Sequence, residues 1–183
     1  MSDRGATVDP RPLVLVGLMG SGKTTVGQRL AAELGRPFVD NDVALRDETG
    51  RTPAEIVADD GADALHRHEA ATLLAALARP GPLVIAAAAS VVLDPTVRRR
   101  LDHDATVVWL QASDETLRAR LADPGVRPNL GGEPARIVTR QHRERADWYR
   151  QVADYSVETT GRSPAAVVRD VTEWLRGEHG PEA

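Results

Sequence analysis

Residues 17–24 read Gly-Leu-Met-Gly-Ser-Gly-Lys-Thr, the spacing G-x-x-x-x-G-K-[ST] of a phosphate loop. Each fixed position has a chemical reason. The glycines let the backbone curl so that its N–H groups face inward around a phosphate chain. The helix that must follow points its positive end at the same place. Lys23 would reach the outer phosphates and the Thr24 hydroxyl would ligate Mg²⁺, with Gly20, Ser21, Gly22 and Thr25 completing the cradle. A nucleotide and Mg²⁺ are the expected ligands. Enzymes built on this loop use an acid to help hold the metal. The apolar stretches from Leu83 and Thr106 end in Ala87-Ala88 and Gln111-Ala112, with no acid there. The acids stand instead in Phe38-Val39-Asp40-Asn41-Asp42. Two carboxylates at i and i+2, at the carboxyl end of a parallel strand, line the crevice where ligands bind in such sheets. One can hold metal-bound water while the other orients an acceptor hydroxyl. A helix cap at Asp42 would explain part of the same pattern structurally.

Composition narrows the chemistry. Lys23 is the one lysine, against 22 arginines. A protein-kinase fold needs a strand lysine apart from its Gly-rich loop, and a guanine-reading Asn-Lys-x-Asp segment needs another; both are excluded. The net charge of −4 and a pI near 5.7 speak against a nucleic-acid footprint. Without cysteine there are no disulfides or thiol nucleophiles. The longest apolar run, Leu83 to Leu93, is interrupted by Ser90 and is too short to span a membrane. The first residues lack a signal-peptide apolar core. A cytoplasmic monomer acting on a small-molecule hydroxyl acceptor, with no nucleic-acid or membrane partner, is expected.

The elements that must hold these groups alternate. Leu13 to Val16 reads as a buried strand and Thr24 to Leu34 as a helix stopped by Gly35 and Pro37. Phe38-Val39 starts a second strand. Pro53 to Asp59 and Ala62 to Leu77 read as helices, Leu83 to Ala87 and Thr106 to Leu110 as strands. Ser113 could cap a helix to about Leu121. Asp123 to Pro134, with three prolines and three glycines, reads as a loop. Ala135 to Val152 is helical, Tyr155 to Glu158 a strand, and Pro164 to Arg176 a last helix. Apolar strands without polar alternation, separated by helices, imply an α/β fold whose parallel sheet is covered on both faces. Residues 12–176 form one expected domain, with loose tails at 1–11 and 177–183. Arg98-Arg99-Arg100 reads as a solvated helix face. His68, His103, His142 and His179 show no metal-ligand spacing.

The chain resembles the shikimate kinase family over roughly Leu13 to Leu175. The signposts are Gly17 to Thr24, Asp40-Asn41-Asp42, Thr49-Gly50-Arg51, Gly61 through Glu69, Arg127-Pro128, Arg145 to Ala153 and Arg162-Ser163-Pro164. The resemblance implies a P-loop NTPase three-layer sandwich, a five-stranded parallel sheet of order 2-3-1-4-5, and a mobile lid at about 123–134. It implies ATP-dependent phosphorylation of a ring hydroxyl of shikimate, a step of aromatic amino acid biosynthesis. Lys23, Asp42 and Arg127 would be catalytic, and Thr24 and Asp40 would serve the metal. Arg127 matches the lid arginine, and Arg120 and Arg162 match residues around adenine. Asp42 and Arg145 match the residues that meet the acceptor's hydroxyls and carboxylate.

Departures from the family pattern cluster on the acceptor side. The family's second carboxylate-binding arginine, between Gly61 and Glu69, is His66 here. Its three-glycine run is Ala88-Ala89-Ser90. Cβ atoms would crowd the acceptor, and a left-handed conformation would cost an alanine roughly 1–2 kcal/mol. The loss of a charge-assisted arginine contact would cost about 1.5–3 kcal/mol. Read structurally, His66 is a surface histidine paired with Glu69 at i+3, and Ala86 to Ala89 is a buried strand end. The substrate-side candidates are Asp42, His66, Ala88, Ala89 and Arg145. Shikimate or a related polyhydroxylated acid or cyclitol is the expected acceptor. The alternatives are a gluconate-type kinase and a nucleotide-binding module that has lost acceptor phosphorylation.

Overall fold

The computed structural model describes residues 10–122 and 134–177. Strand β1 (Leu13–Val16) leads through the phosphate loop into α1 (Lys23–Leu34), then β2 (Phe38–Asp40), α2 (Asn41–Thr49), α3 (Pro53–Asp60) and α4 (Ala62–Leu77). There follow β3 (Val84–Ala86), a 3₁₀ turn at Val91–Leu93, α5 (Pro95–Asp104), β4 (Thr106–Gln111), α6 (Asp114–Leu121), α7 (Pro134–Val152), β5 (Tyr155–Glu158) and α8 (Pro164–Leu175). The five strands lie in the order β2-β3-β1-β4-β5, with every pairing parallel. This is the α/β three-layer architecture and the strand order that the resemblance implies.

Side chains that alternate along each strand feed two cores. Val14, Val16, Ile85, Val107 and Trp109 face α4, α5, α6 and α7. Leu13, Leu15, Val84, Val108 and Leu110 face α1 and α8. Burial on both faces explains why these strands are apolar at nearly every position. Leu45, Ile56 and Ala64 pack apart from both, in a small cluster that holds α2, α3 and α4 together.

Several local readings need correction. The third strand is shorter than Leu83 to Ala87, because the chain turns toward the 3₁₀ segment after Ala86. Asn41 to Thr49 is helical, a helix absent from the sequence reading, and it is capped by Asp40 rather than Asp42: the Asp40 carboxylate accepts from the N–H groups of Asp42 and Val43. Pro95 to Asp104 is also a helix, capped by Asp94. Pro134 begins α7 instead of ending the preceding loop. Arg98 does not share the solvated face of Arg99 and Arg100: it is half-buried, donates to the carbonyl of Val92 at 2.5 Å, and lies 5.1 Å from the ring centre of Trp148. The candidate lid through residue 133, with Arg127, and the tails at 1–9 and 178–183 lie outside the described residues.

Candidate active site

The phosphate loop crosses from the end of β1 to the start of α1. Gly17 has φ 142°, and a Cβ there would lie 2.6 Å from the carbonyl oxygen of Leu110 on β4. Only glycine fits this approach. Gly22, at φ 98°, opens α1 without a side-chain cap, which leaves the helix's first N–H groups facing the loop. Lys23 Nζ donates to the carbonyls of Gly17 at 2.8 Å and Leu18 at 2.9 Å. Thr24 Oγ1 donates to Asp40 Oδ2 at 2.7 Å. The predicted pair is thus in hydrogen-bond contact, joining the head of α1 to the end of β2. Hydroxyl and carboxylate oxygens form a hard donor set suited to Mg²⁺, whose remaining positions water and phosphate usually fill. Ser21 is buried, with its hydroxyl unpartnered among the described residues, and Thr25 is exposed on α1.

Of the two arginines predicted for the adenine side, Arg120 touches this loop and Arg162 lies in the turn after β5. Arg120 Nη1 donates to the carbonyl of Gly20 at 2.8 Å and Nη2 to that of Thr159 at 3.1 Å. It straps the loop to the turn after β5. Arg162 is held by Asp170 at 2.6 Å.

The residues expected on the acceptor side lie on α2, α4, α7 and the segment after β3. Asp42 lies in the first turn of α2. Arg145, on α7, is only 6% exposed; its Nη1 donates to the carbonyl of Ala89 at 3.1 Å. Its Nε is buried with no partner among the described residues. Tyr149, one turn on, donates its hydroxyl to the same carbonyl at 2.6 Å. Glu69, 7% exposed, faces Ser90, 6% exposed, whose hydroxyl donates to its carboxylate. Burial raises the Glu69 pKa above the ordinary carboxyl value, while Ser90 and the charges of Arg145 and Lys23 oppose that rise. Burial, then the charge of Arg145, lowers the His66 pKa, with Asp63 opposing.

The comparisons can be set against this geometry. The family model described as "Shikimate kinase" matches residues 19–176. The chain belongs to the shikimate kinase family. The shikimate kinase of Symbiobacterium thermophilum is 41% identical over 173 residues, 92% of this chain and 99% of that protein. That of Mycobacterium tuberculosis is 41% identical over 172 residues, 93% and 96% of the two. The structure of the Acinetobacter baumannii shikimate kinase in complex with shikimate superposes with a TM-score of 0.86 at 28% identity, covering 94% of this chain and 97% of that one. A gluconokinase from Sinorhizobium meliloti, TM-score 0.60 at 21% identity, shares the fold. The protein is a phosphotransferase of the shikimate kinase family, acting with a nucleotide on a small polyhydroxylated acceptor.

Within that family, two expectations about the divergent segment are corrected. Among the described residues no non-glycine has positive φ, so Ala88 and Ala89 carry no left-handed strain. The chain passes through an ordinary right-handed turn at Ser90, φ −89° and ψ −14°. Glu69 is engaged by Ser90 and not by His66, which explains why an i+3 ion pair on α4 is the wrong reading. Ala88 is buried and Ala89 half-buried.

Sequence reasoning placed none of Glu69, Ser90, Tyr149 or Asn41 among the candidate site residues. Asn41 is buried and donates from Nδ2 to the Glu69 carbonyl at 3.3 Å, pinning α2 to α4. The signal for Tyr149 was present, since Arg145 and Tyr149 are an i,i+4 pair on one face of a helix. The Ser90–Glu69 bond spans distant parts of the chain and needed the fold to become visible.

Proposed function

We propose that the protein transfers the γ-phosphoryl group of ATP to a hydroxyl of shikimate or a related polyhydroxylated acid or cyclitol. The observation that carries this reading is the 2.7 Å bond from Thr24 to Asp40. It ties the phosphate loop to the helix end that bears Asp42, which supports a reading in which nucleotide and acceptor meet at the carboxyl ends of the strands. Asp42 orients the acceptor hydroxyl and takes its proton. The acceptor oxygen bonds to phosphorus as the bond from phosphorus to the ADP oxygen breaks. Lys23 exchanges its own loop carbonyls for phosphate oxygens. Thr24 and Asp40 would hold Mg²⁺, which would neutralise phosphate charge. Gly20, Ser21, Gly22 and Thr25 cradle the phosphates, Arg120 and Arg162 border the base, and Arg127 closes on the nucleotide. His66, Ala88, Ala89 and Arg145 line the acceptor pocket. Catalysis rests on positioning and charge neutralisation.

An ADP-release assay across shikimate, related acids and cyclitols tests the proposal. Acceptor-dependent release, lost in Asp42→Asn while ATP still binds, is the expected result. ATP binding with no acceptor-dependent release from any of them would favour a module without acceptor chemistry.

A further inference from the structure

One face of α7 holds the segment that follows β3. Arg145 and Tyr149, one helical turn apart, both donate to the carbonyl of Ala89, at 3.1 and 2.6 Å. The ring centre of Trp148 lies 5.1 Å from the guanidinium carbon of Arg98, which donates in turn to the carbonyls of Val92 and Leu93. The two donors to Ala89 differ in what holds them. Tyr149 is 1% exposed, and its ring stacks on Trp109 of β4 with centres 5.7 Å apart. Burial raises its pKa, with the charge and hydrogen bond of Arg145 opposing, so the phenol stays a neutral donor. Its hydroxyl thus reaches Ala89 from a ring backed by the sheet. Arg145 is buried too, and its Nε has no partner among the described residues. A buried guanidinium nitrogen without an acceptor is costly unless a ligand supplies one. A carbonyl oxygen can accept two bonds. Tyr149 and Arg145 Nη1 fill that capacity at Ala89 and leave Nε for a ligand.

We infer that Tyr149 is a positioning residue for phosphoryl transfer: its hydroxyl fixes the Ala89 carbonyl and, through it, the Arg145 guanidinium that meets an anionic group of the acceptor. This rests on the kinase reading above, in which Arg145 lines the acceptor pocket. Without the hydroxyl, one accepting position on the Ala89 carbonyl falls open. The guanidinium can then turn a second nitrogen onto that oxygen and lose the orientation that leaves Nε to the acceptor. Packing is separable from this role, because the ring alone supplies the stack on Trp109.

Tyr149→Phe removes the hydroxyl and keeps that stack. Measured with shikimate, or with the related acid that the ADP-release assay selects, KM for the acceptor should rise about tenfold, the scale of one hydrogen bond to a charged group. KM for ATP and kcat should stay close to wild type. In an Arg145→Lys background, where the planar fork is gone, the same change should add nothing to the acceptor KM. A hydroxyl that serves stability alone would lower the thermal midpoint and leave the acceptor KM unmoved, which would overturn the inference. Equal rises in both KM values would overturn it as well, as would the full effect persisting beside Arg145→Lys. Turnover confined to uncharged cyclitols would also overturn it, since Arg145 would then have no anion to meet. Each of those results leaves the kinase reading standing. No acceptor-dependent ADP release from any acid or cyclitol, with ATP still bound, would overturn both. The Tyr149→Phe comparison is decisive by itself if Arg145→Lys does not fold.

Discussion

At the scale of single residues, the lone lysine acquires a geometric reason. Lys23 Nζ fits between two carbonyls of its own loop, at 2.8 and 2.9 Å, a place for a compact ammonium and not for a broad planar guanidinium. Lys23→Arg should lower turnover by about a hundredfold or more, the scale of losing one preorganised charge-stabilising group, with the thermal midpoint little changed. Near-normal turnover would make the retention of lysine accidental. Glu69 offers a separate test. Its pKa is raised in the folded protein by burial, so the folded state binds the more protons as pH rises from the ordinary carboxyl range. Stability should therefore fall through the raised pKa. Glu69→Gln keeps an acceptor for Ser90 and removes the ionisation. The variant should gain on wild type as urea midpoints are compared at about pH 4 and about pH 8, either side of the window; parallel pH profiles would refute this. The Thr24 and Asp40 pairing could be read from sequence because its chemistry dictates spacing. Ser90 and Glu69 could not, because an acid and a hydroxyl from different elements acquire meaning only when brought together.

At the scale of elements, glycine at the end of β1 is demanded twice, by φ 142° and by the Leu110 carbonyl 2.6 Å from a Cβ there. Gly17→Ala should destabilise the protein by about 1–3 kcal/mol, the range for overpacking, and weaken ATP binding. A calorimetric scan with a nucleotide titration checks both; unchanged values would mean the loop can relax away from β4. The strands and the long helices were legible because each shows a full apolar face. Helix α2 was not, since only Asn41 and Leu45 of its residues are buried, and an Asp-rich start reads as a turn. Helix α5 carried the signals, Asp94 as cap and Pro95 in its first turn, but its three consecutive arginines drew attention to charge instead of periodicity.

At the scale of the whole molecule, the two sheet-facing cores and the small Leu45, Ile56 and Ala64 cluster divide the labour. The sheet cores hold the nucleotide end, while α2 and α3 hang on three buried side chains and on links such as Asn41 to Glu69. Segments with few buried apolar contacts open at lower free energy. Amide exchange should be faster in α2 and α3 than in β1 and β4, and an acceptor that binds should slow it there. Equal protection throughout would contradict the division.

Asp40 gives one oxygen to Thr24 and the other to the backbone that starts α2. A single side chain thus joins the head of α1 to the head of α2. The four divergent positions, His66, Ala88, Ala89 and Ser90, all lie on α4 or in the segment between β3 and the 3₁₀ turn. The nucleotide side can stay constant while that region is retuned, so new substrates are open to this scaffold without rebuilding its engine. A change at Asp40 would disturb both contacts at once.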